Sequence, residues 1–220
     1  MKCHYMDVRP LADPALFAHV LQSIPWPERR ERILRCRRQE DQRLSLGANA
    51  LLLHFLSEIA HFDVSALHFI EGRYGKPALR EHPEFFFNLS HSGHFAAIAA
   101  GDAPCGVDVE KTRTRYDQIA ARYFTEEENA LLSRCRDTDE REWTFLRIWT
   151  RKESFLKRSG EGLSRDLRSF CVLPDPPADT AFFEHPLPGH LLTVCTEKHV
   201  HFSGFESICI AEGRFICTAE

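Results

Sequence analysis

The 220-residue chain is predicted to fold as an α+β protein, and three observations carry that expectation. Helical and extended segments are mixed along the chain, and the strands mostly adjoin one another instead of alternating one for one with helices. Hydrophobic residues make up 43% and charged residues 27%, the balance of a globular chain with a buried core. No low-complexity linker or repeat divides the sequence, and its length suits one large domain or two small ones.

Residues 2–8 read as a first strand. Pro27 opens a charged helix after Trp26, because proline in a first helical turn lacks only an N–H that has no partner there. Residues 45–60 (SLGANALLLHFLSEIA) read as a buried helix. Short extended pieces at 67–71 and 77–79 flank Tyr74-Gly75-Lys76-Pro77. Residues 85–89 and 95–100 form a strand pair about a loop at 90–94, and 106–110 is a further strand. Residues 115–134 are helical. A second helix runs from about Asp139 to Ser159, where Gly160 supplies a C-terminal stop. Beyond it, strands are expected at 168–173, 181–184, 191–195, 199–203, 206–211 and 214–218, with a turn at Pro174-Asp175-Pro176-Pro177.

Composition excludes several classes. Twenty-eight Lys and Arg against 32 Asp and Glu give a net charge of −4, which does not mark the whole molecule for nucleic acid. The apolar stretches at 95–100 and 50–53 fall far short of the ~20 residues of a membrane span. The first residues lack the apolar core of a secretory signal. Eight cysteines without a Cys-x-x-Cys spacing point to reduced thiols in a cytoplasmic protein. The twelve histidines show no metal-ligand spacing, and His185, His190, His199 and His201 are expected at the surface.

Chemistry concentrates in a few places. In Gly106-Val107-Asp108-Val109-Glu110, Asp108 and Glu110 share one face of a strand and the two valines share the other. The pattern fits a half-buried strand with a solvated acidic face, and it fits a two-carboxylate seat for a hard divalent cation. A third carboxylate favours the cation. At about 100° per residue, Glu153 lies within about 60° of Leu146, Trp149 and Leu156, inside an apolar helix stripe where a charge is costly unless paired or metal-bound. Lys157, one turn on, offers an ordinary i,i+4 pair as the alternative. Thr125 and Glu128 spell a capping box, while a glutamate held at a helix start near a metal also suits a general base. Asn88-Leu89-Ser90-His91-Ser92 reads as a polar turn, or as a hydroxyl and imidazole aimed at a phosphate. Lys76, on its turn, is solvated by default. Arginines at 29, 30, 32, 35, 37, 38 and 43 form a solvated face or a seat for an anionic ligand or acidic partner, and no nucleic-acid motif accompanies them.

In chain order, GKP at 75–77, NLSHS at 88–92, GVDVE at 106–110, FTEEE at 124–128, WTRKESFLK at 149–157 and GEGLS at 160–164 resemble the Sfp-type 4′-phosphopantetheinyl transferases. The similarity covers about 27–173, and GVDVE with WTRKESFLK at this separation is its most specific pair. The resemblance implies two similar α+β halves related by a pseudo-twofold, about 1–103 and 104–220, with the active site at their interface. It implies transfer of 4′-phosphopantetheine from coenzyme A to a serine of an acyl or peptidyl carrier protein, releasing 3′,5′-ADP, by a cytoplasmic monomer of the holo-[acyl-carrier-protein] synthase type. By motif, Asp108, Glu110 and Glu153 would hold Mg²⁺ or Mn²⁺, Glu128 would be the base, and Lys157 would lie by the diphosphate. Lys76, Ser90 and His91 would contact coenzyme A, and Arg29 and Arg32 would meet its 3′-phosphate. Leu44 departs from the pattern: some relatives carry a threonine directly after the residue matched by Arg43, and here Ser45 comes one place later. Two rivals are another Mg²⁺-dependent enzyme on phosphate substrates and a catalytically silent carrier-binding protein. Lys76, His91 and Lys157 together speak against the first, and the intact carboxylate triad against the second.

Overall fold

The computed structural model describes residues 1–72, 74–112, 116–211 and 214–218. Its elements are β1 (Lys2–Asp7), α1 (Pro14–Ser23), α2 (Pro27–Leu34), α3 (Gln39–His54), β2 (Phe69–Glu71), β3 (Pro77–Leu79), β4 (Phe86–Ser92) and β5 (Phe95–Gly101). They continue with β6 (Gly106–Lys111), α4 (Asp117–Tyr123), α5 (Glu126–Ser133), α6 (Thr138–Ser159), β7 (Thr180–Leu187), β8 (His190–Glu197), β9 (Phe205–Ala211) and β10 (Arg214–Thr218).

One topology occurs twice. A strand, β1, is followed by three helices and the hairpin β4–β5, and the sheet order is β1-β5-β4. A strand, β6, is then followed by three helices and the hairpin β7–β8, and the order is β6-β8-β7. In each half the last strand of the hairpin runs antiparallel between the other two. The small hairpin β2–β3 is an addition to the first half.

The chain end crosses back to the first sheet. β9 leaves the second half and lies parallel to β1, with Cys3 opposite Phe205, and β10 pairs with β9. The first sheet therefore reads β10-β9-β1-β5-β4.

The core follows the alternation of β5. Ala96, Ile98 and Ala100 face a cluster built on α3, including Leu51, Leu52 and Phe87. Phe95, Ala97 and Ala99 face the second sheet, where they pack in one cluster with Val107, Val109, Leu192 and Val194. A third cluster gathers Phe145, Ile148, Phe155 and Leu156 of α6 over the second half. The alanines on the inter-sheet face of β5 leave little side chain to hold β6 away. Gly106 permits a second close approach: a Cβ there would land on the Ser154 carbonyl and the Arg158 N–H of α6.

Several local expectations change. Residues 90–92 continue β4, and only Gly93 and His94 separate it from β5. The helical stretch expected over 115–134 breaks at Phe124-Thr125, because Thr125 caps α5, and residue 115 lies outside the described residues. Residues 168–173 and 199–203 are not strands. α1 is an addition, started by Asp13, whose carboxylate accepts from Ala15 and Leu16 N–H, with Pro14 in the first turn. Gly160 ends α6 with φ 72°, in the left-handed conformation that suits glycine. The eight cysteines are unpaired. Among the described residues no helix is long and apolar enough to cross a membrane.

Candidate active site

A cleft of about 1080 Å³ lies between the halves, walled by α2, the β2–β3 hairpin, β4, β6 and α6. It is large for a small-molecule site and suits an extended ligand. Its floor is the seam between β4 and β6, which is joined by side chains. Alternate residues of β4 accept from alternate N–H groups of β6: Asn88 Oδ1 from Val107 (2.8 Å), Ser90 Oγ from Val109 (3.2 Å) and Ser92 Oγ from Lys111 (3.3 Å).

Each serine of this ladder also serves a carboxylate. Ser90 Oγ accepts from Lys157 Nζ at 2.9 Å, so its own proton goes to Asp108 Oδ1 at 3.1 Å. Lys157 Nζ reaches the same oxygen at 2.7 Å. Asp108 is only 4% exposed, and its second oxygen, Oδ2, is buried without a hydrogen-bond partner. Burial pushes the Asp108 carboxyl up to about 7; Lys157 opposes the rise, and Glu110 and Glu153 add to it. The expected solvated acidic face is therefore absent at Asp108.

Glu110 is held from both halves. Ser92 Oγ donates to Oε2 at 3.0 Å and Trp149 Nε1 donates to Oε1 at 3.2 Å. Glu153, on the cleft side of α6, is half-buried, and enclosure first and Glu110 second hold its carboxyl above the usual range. Among the described residues no three His, Cys, Asp or Glu side chains close a complete cation cage. The donor set nevertheless fits a hard cation of the Mg²⁺ type, which takes one or two protein carboxylates and completes its shell with phosphate and water. Neighbouring carboxylate charge helps to raise Asp108 and Glu153, and Asp108 keeps an orphaned buried oxygen, a setting that suits the positive charge such an ion would bring.

The far end of the cleft is cationic. The Arg29 guanidinium sits 3.8 Å from the Phe69 ring centre and donates through Nη1 to Asn49 Oδ1 at 2.9 Å. Burial first and the Arg32 charge second lower its pKa to about 10, and two cations are held together beside one wall. His91 is exposed at the cleft, where enclosure and the Lys157 charge hold its imidazole below the usual value.

Two expected site residues lie elsewhere. Glu128 is fully buried and is not part of the cleft lining. Its Oε2 accepts from Thr125 N–H at 2.9 Å and pairs with Lys152 Nζ at 2.9 Å, and Oε1 accepts from Val172 N–H at 2.9 Å. The capping box and the Lys152 pair engage both of its oxygens away from the cleft lining. Lys76 places its ammonium on the carbonyls of Cys105 (2.8 Å), Lys157 (2.6 Å) and Arg158 (3.2 Å). Its three protons are thus engaged, and it clamps the end of α6 to the first half instead of presenting a free charge to a phosphate.

Ser92, Trp149, Asn49 and Lys152 enter the site or its support without having been singled out as functional by sequence. For Ser92 the signal was its two-residue spacing from Ser90, matching that of Glu110 from Asp108. For Lys152, a lysine on the core side of α6, it was the helical period itself.

Comparison with known proteins bears on this geometry. Residues 104–211 match the family described as the 4′-phosphopantetheinyl transferase superfamily, and residues 12–103 match 4′-phosphopantetheinyl transferase, N-terminal. The 4′-phosphopantetheinyl transferase Sfp of Bacillus subtilis is 34% identical over 203 residues, covering 87% of this chain and 89% of its own. The transferase psf-1 of Bacillus pumilus is 32% identical over 213 residues, covering 90% and 91%. AcpT of Escherichia coli K12 is 34% identical over a shorter 118 residues, 52% and 56% of the two chains.

Proposed function

Because this chain belongs to the 4′-phosphopantetheinyl transferase family, we propose that its inter-half cleft holds coenzyme A with Mg²⁺ on Asp108, Glu110 and Glu153. The reaction moves 4′-phosphopantetheine to a carrier protein, with coenzyme A as the donor the family implies. What supports the metal reading above all is Asp108, a buried carboxylate with one oxygen bound by Ser90 and Lys157 and the other unpartnered.

Bound there, Mg²⁺ would neutralise charge developing on the diphosphate as its P–O bond breaks. Lys157 stands beside Asp108 as a second cation for the leaving phosphate. The carrier serine is a weak nucleophile until its proton is taken. Glu128, the base by resemblance, would have to leave its pair with Lys152 to take that proton. Arg29 and Arg32 receive the 3′-phosphate, and His91 gains charge as a phosphate approaches it. Ser90 acts on coenzyme A indirectly, by aligning Asp108 and Lys157.

The test is mass spectrometry of several apo-carrier proteins incubated with this protein, coenzyme A and Mg²⁺. A phosphopantetheine mass on the carrier serine, absent in EDTA, is the expected result. Undiminished transfer in EDTA overturns the metal assignment.

A further inference from the structure

We infer that Ser92 and Trp149 are positioning residues that hold Glu110 ready for a cation, so that cation binding depends on the two halves being in register. The inference rests on the reading that Asp108, Glu110 and Glu153 take the metal.

Glu110 stands near the end of β6, half-buried where Asp108 is enclosed, so packing alone does not fix its carboxylate. Two donors do. Ser92 comes from β4 of the first half, and Trp149 comes from α6 of the second. Ser92 Oγ accepts the Lys111 N–H at 3.3 Å, which leaves its single proton for Glu110 Oε2 at 3.0 Å. Trp149 has one polar atom, and its N–H points to Oε1 at 3.2 Å. The indole is itself fixed, lying over Phe145 with an interplanar angle of 7° and against Tyr123. Ser92 and Trp149 thus hold the two carboxylate oxygens from different halves.

The arrangement at Asp108 is the same device one rung earlier. Ser90 accepts from β6 and donates to the carboxylate, while Lys157 of α6 donates from the other side. A slip of β4 along β6 by two residues would move each serine to the neighbouring carboxylate's place and leave one carboxylate without its donor. The ladder therefore couples register to the orientation of both ligands. Groups that orient a ligand in this way typically contribute 10–100-fold to metal affinity.

The experiment titrates Mn²⁺ into the full chain with coenzyme A present and reads free Mn²⁺ by electron paramagnetic resonance, with no carrier and no turnover. Coenzyme A binding in EDTA is measured alongside by calorimetry. Ser92→Ala and Trp149→Phe are each expected to weaken Mn²⁺ about 10-fold or more. Coenzyme A affinity in EDTA stays unchanged, and Ser92→Thr restores Mn²⁺ affinity because it restores the hydroxyl. Wild-type Mn²⁺ affinity in both Ser92→Ala and Trp149→Phe overturns the inference. So does an equal loss of coenzyme A binding in EDTA, which would make Ser92 a brace between the halves and nothing more. A metal site elsewhere gives a different outcome: Asp108→Asn and Glu110→Gln then bind Mn²⁺ as the wild type does, and the underlying reading fails with the inference.

Discussion

The Glu128 carboxylate and the Lys152 ammonium meet at 2.9 Å in a site where neither side chain has any solvent exposure. The pair is complete. Lys152 also donates to the carbonyls of Leu167 and Phe170, each at 2.7 Å, so α5, α6 and the segment after α6 are tied at one point. Such a pair is costly to break and cheap to replace whole, because a lone buried charge is what the fold cannot tolerate. Glu128→Ala is expected to lower stability by about 3–5 kcal/mol in urea unfolding, with kcat per folded molecule nearly unchanged. A folded variant with normal stability and no turnover would return Glu128 to the role of base.

Asp108→Asn removes the charge at the centre of the carboxylate group and keeps its shape. Loss of several kcal/mol of charge stabilisation corresponds to a fall in kcat of about two to four orders of magnitude. Circular dichroism and thermal unfolding check that the fold survives, and activity within a few-fold of wild type contradicts the assignment.

At the cationic end of the cleft, removing the 3′-phosphate from the donor tests Arg29 and Arg32. A charge-assisted hydrogen bond contributes roughly 1.5–3 kcal/mol, or about ten- to a hundred-fold in affinity. Dephospho-coenzyme A is expected to be the poorer substrate, mainly through KM. Arg32→Ala should erase part of that preference while harming dephospho-coenzyme A turnover little. Equal use of both donors by the wild type would assign these arginines to the carrier or to solvent.

Stability should fall in mild acid because of His4 and His54. His4 is fully buried in β1, and burial lowers its pKa to about 4, against the opposing pull of Glu206 and with help from His54 and Lys2. His54 is lowered by burial too, with Glu58 and Glu206 opposing. Both imidazoles fold neutral, so the unfolded chain binds more protons below about pH 6.5. Their contribution is complete above that pH and is lost as pH falls from about 6.5 towards 4. Urea unfolding at pH 7.5 and pH 5.5 measures the loss, and His4→Gln should flatten it. The same slope in wild type and variant rules His4 out.

Gly106→Ala places a methyl group against the backbone of α6 at Ser154 and Arg158, where no side chain can rotate away. Overpacking of this kind costs typically 1–3 kcal/mol. Since α6 carries Glu153 and Lys157, activity should fall further than thermal stability suggests. A silent substitution would mean that α6 and β6 separate freely.

The seat of the site was legible in the sequence where alternation and helical period coincide with burial. Val107 and Val109 do lie in the core, and Glu153 does reach the cleft from α6. What was not legible depends on contacts far apart in the chain. Ser90 and His91 resemble turn residues, yet their strand is completed by the ladder to β6, whose N–H groups take the place of local turn bonds. Residues 168–173 have a strand's apolar character, but Lys152 and Glu128 bind the backbone at Leu167, Phe170 and Val172 that a ladder would have used. Lys76 is solvated by any local reading, and only the fold brings three carbonyls to it. α1 carried its own start signal in Asp13-Pro14, which a search by apolar period alone passes over.

The return of β9 to β1 sets the order in which the molecule can be finished during synthesis. Within the first sheet β1 is made long before its neighbour β9, and its edge stays open until the chain has been extended through Phe205–Ala211. A ribosome-bound intermediate that has completed only β1–β5 displays an unpaired strand edge, a template for pairing with other chains. Severing the chain between the halves would strand the closing strands on the wrong fragment. The halves repeat one topology, but the first is not self-contained; its sheet is finished only by strands made after the second.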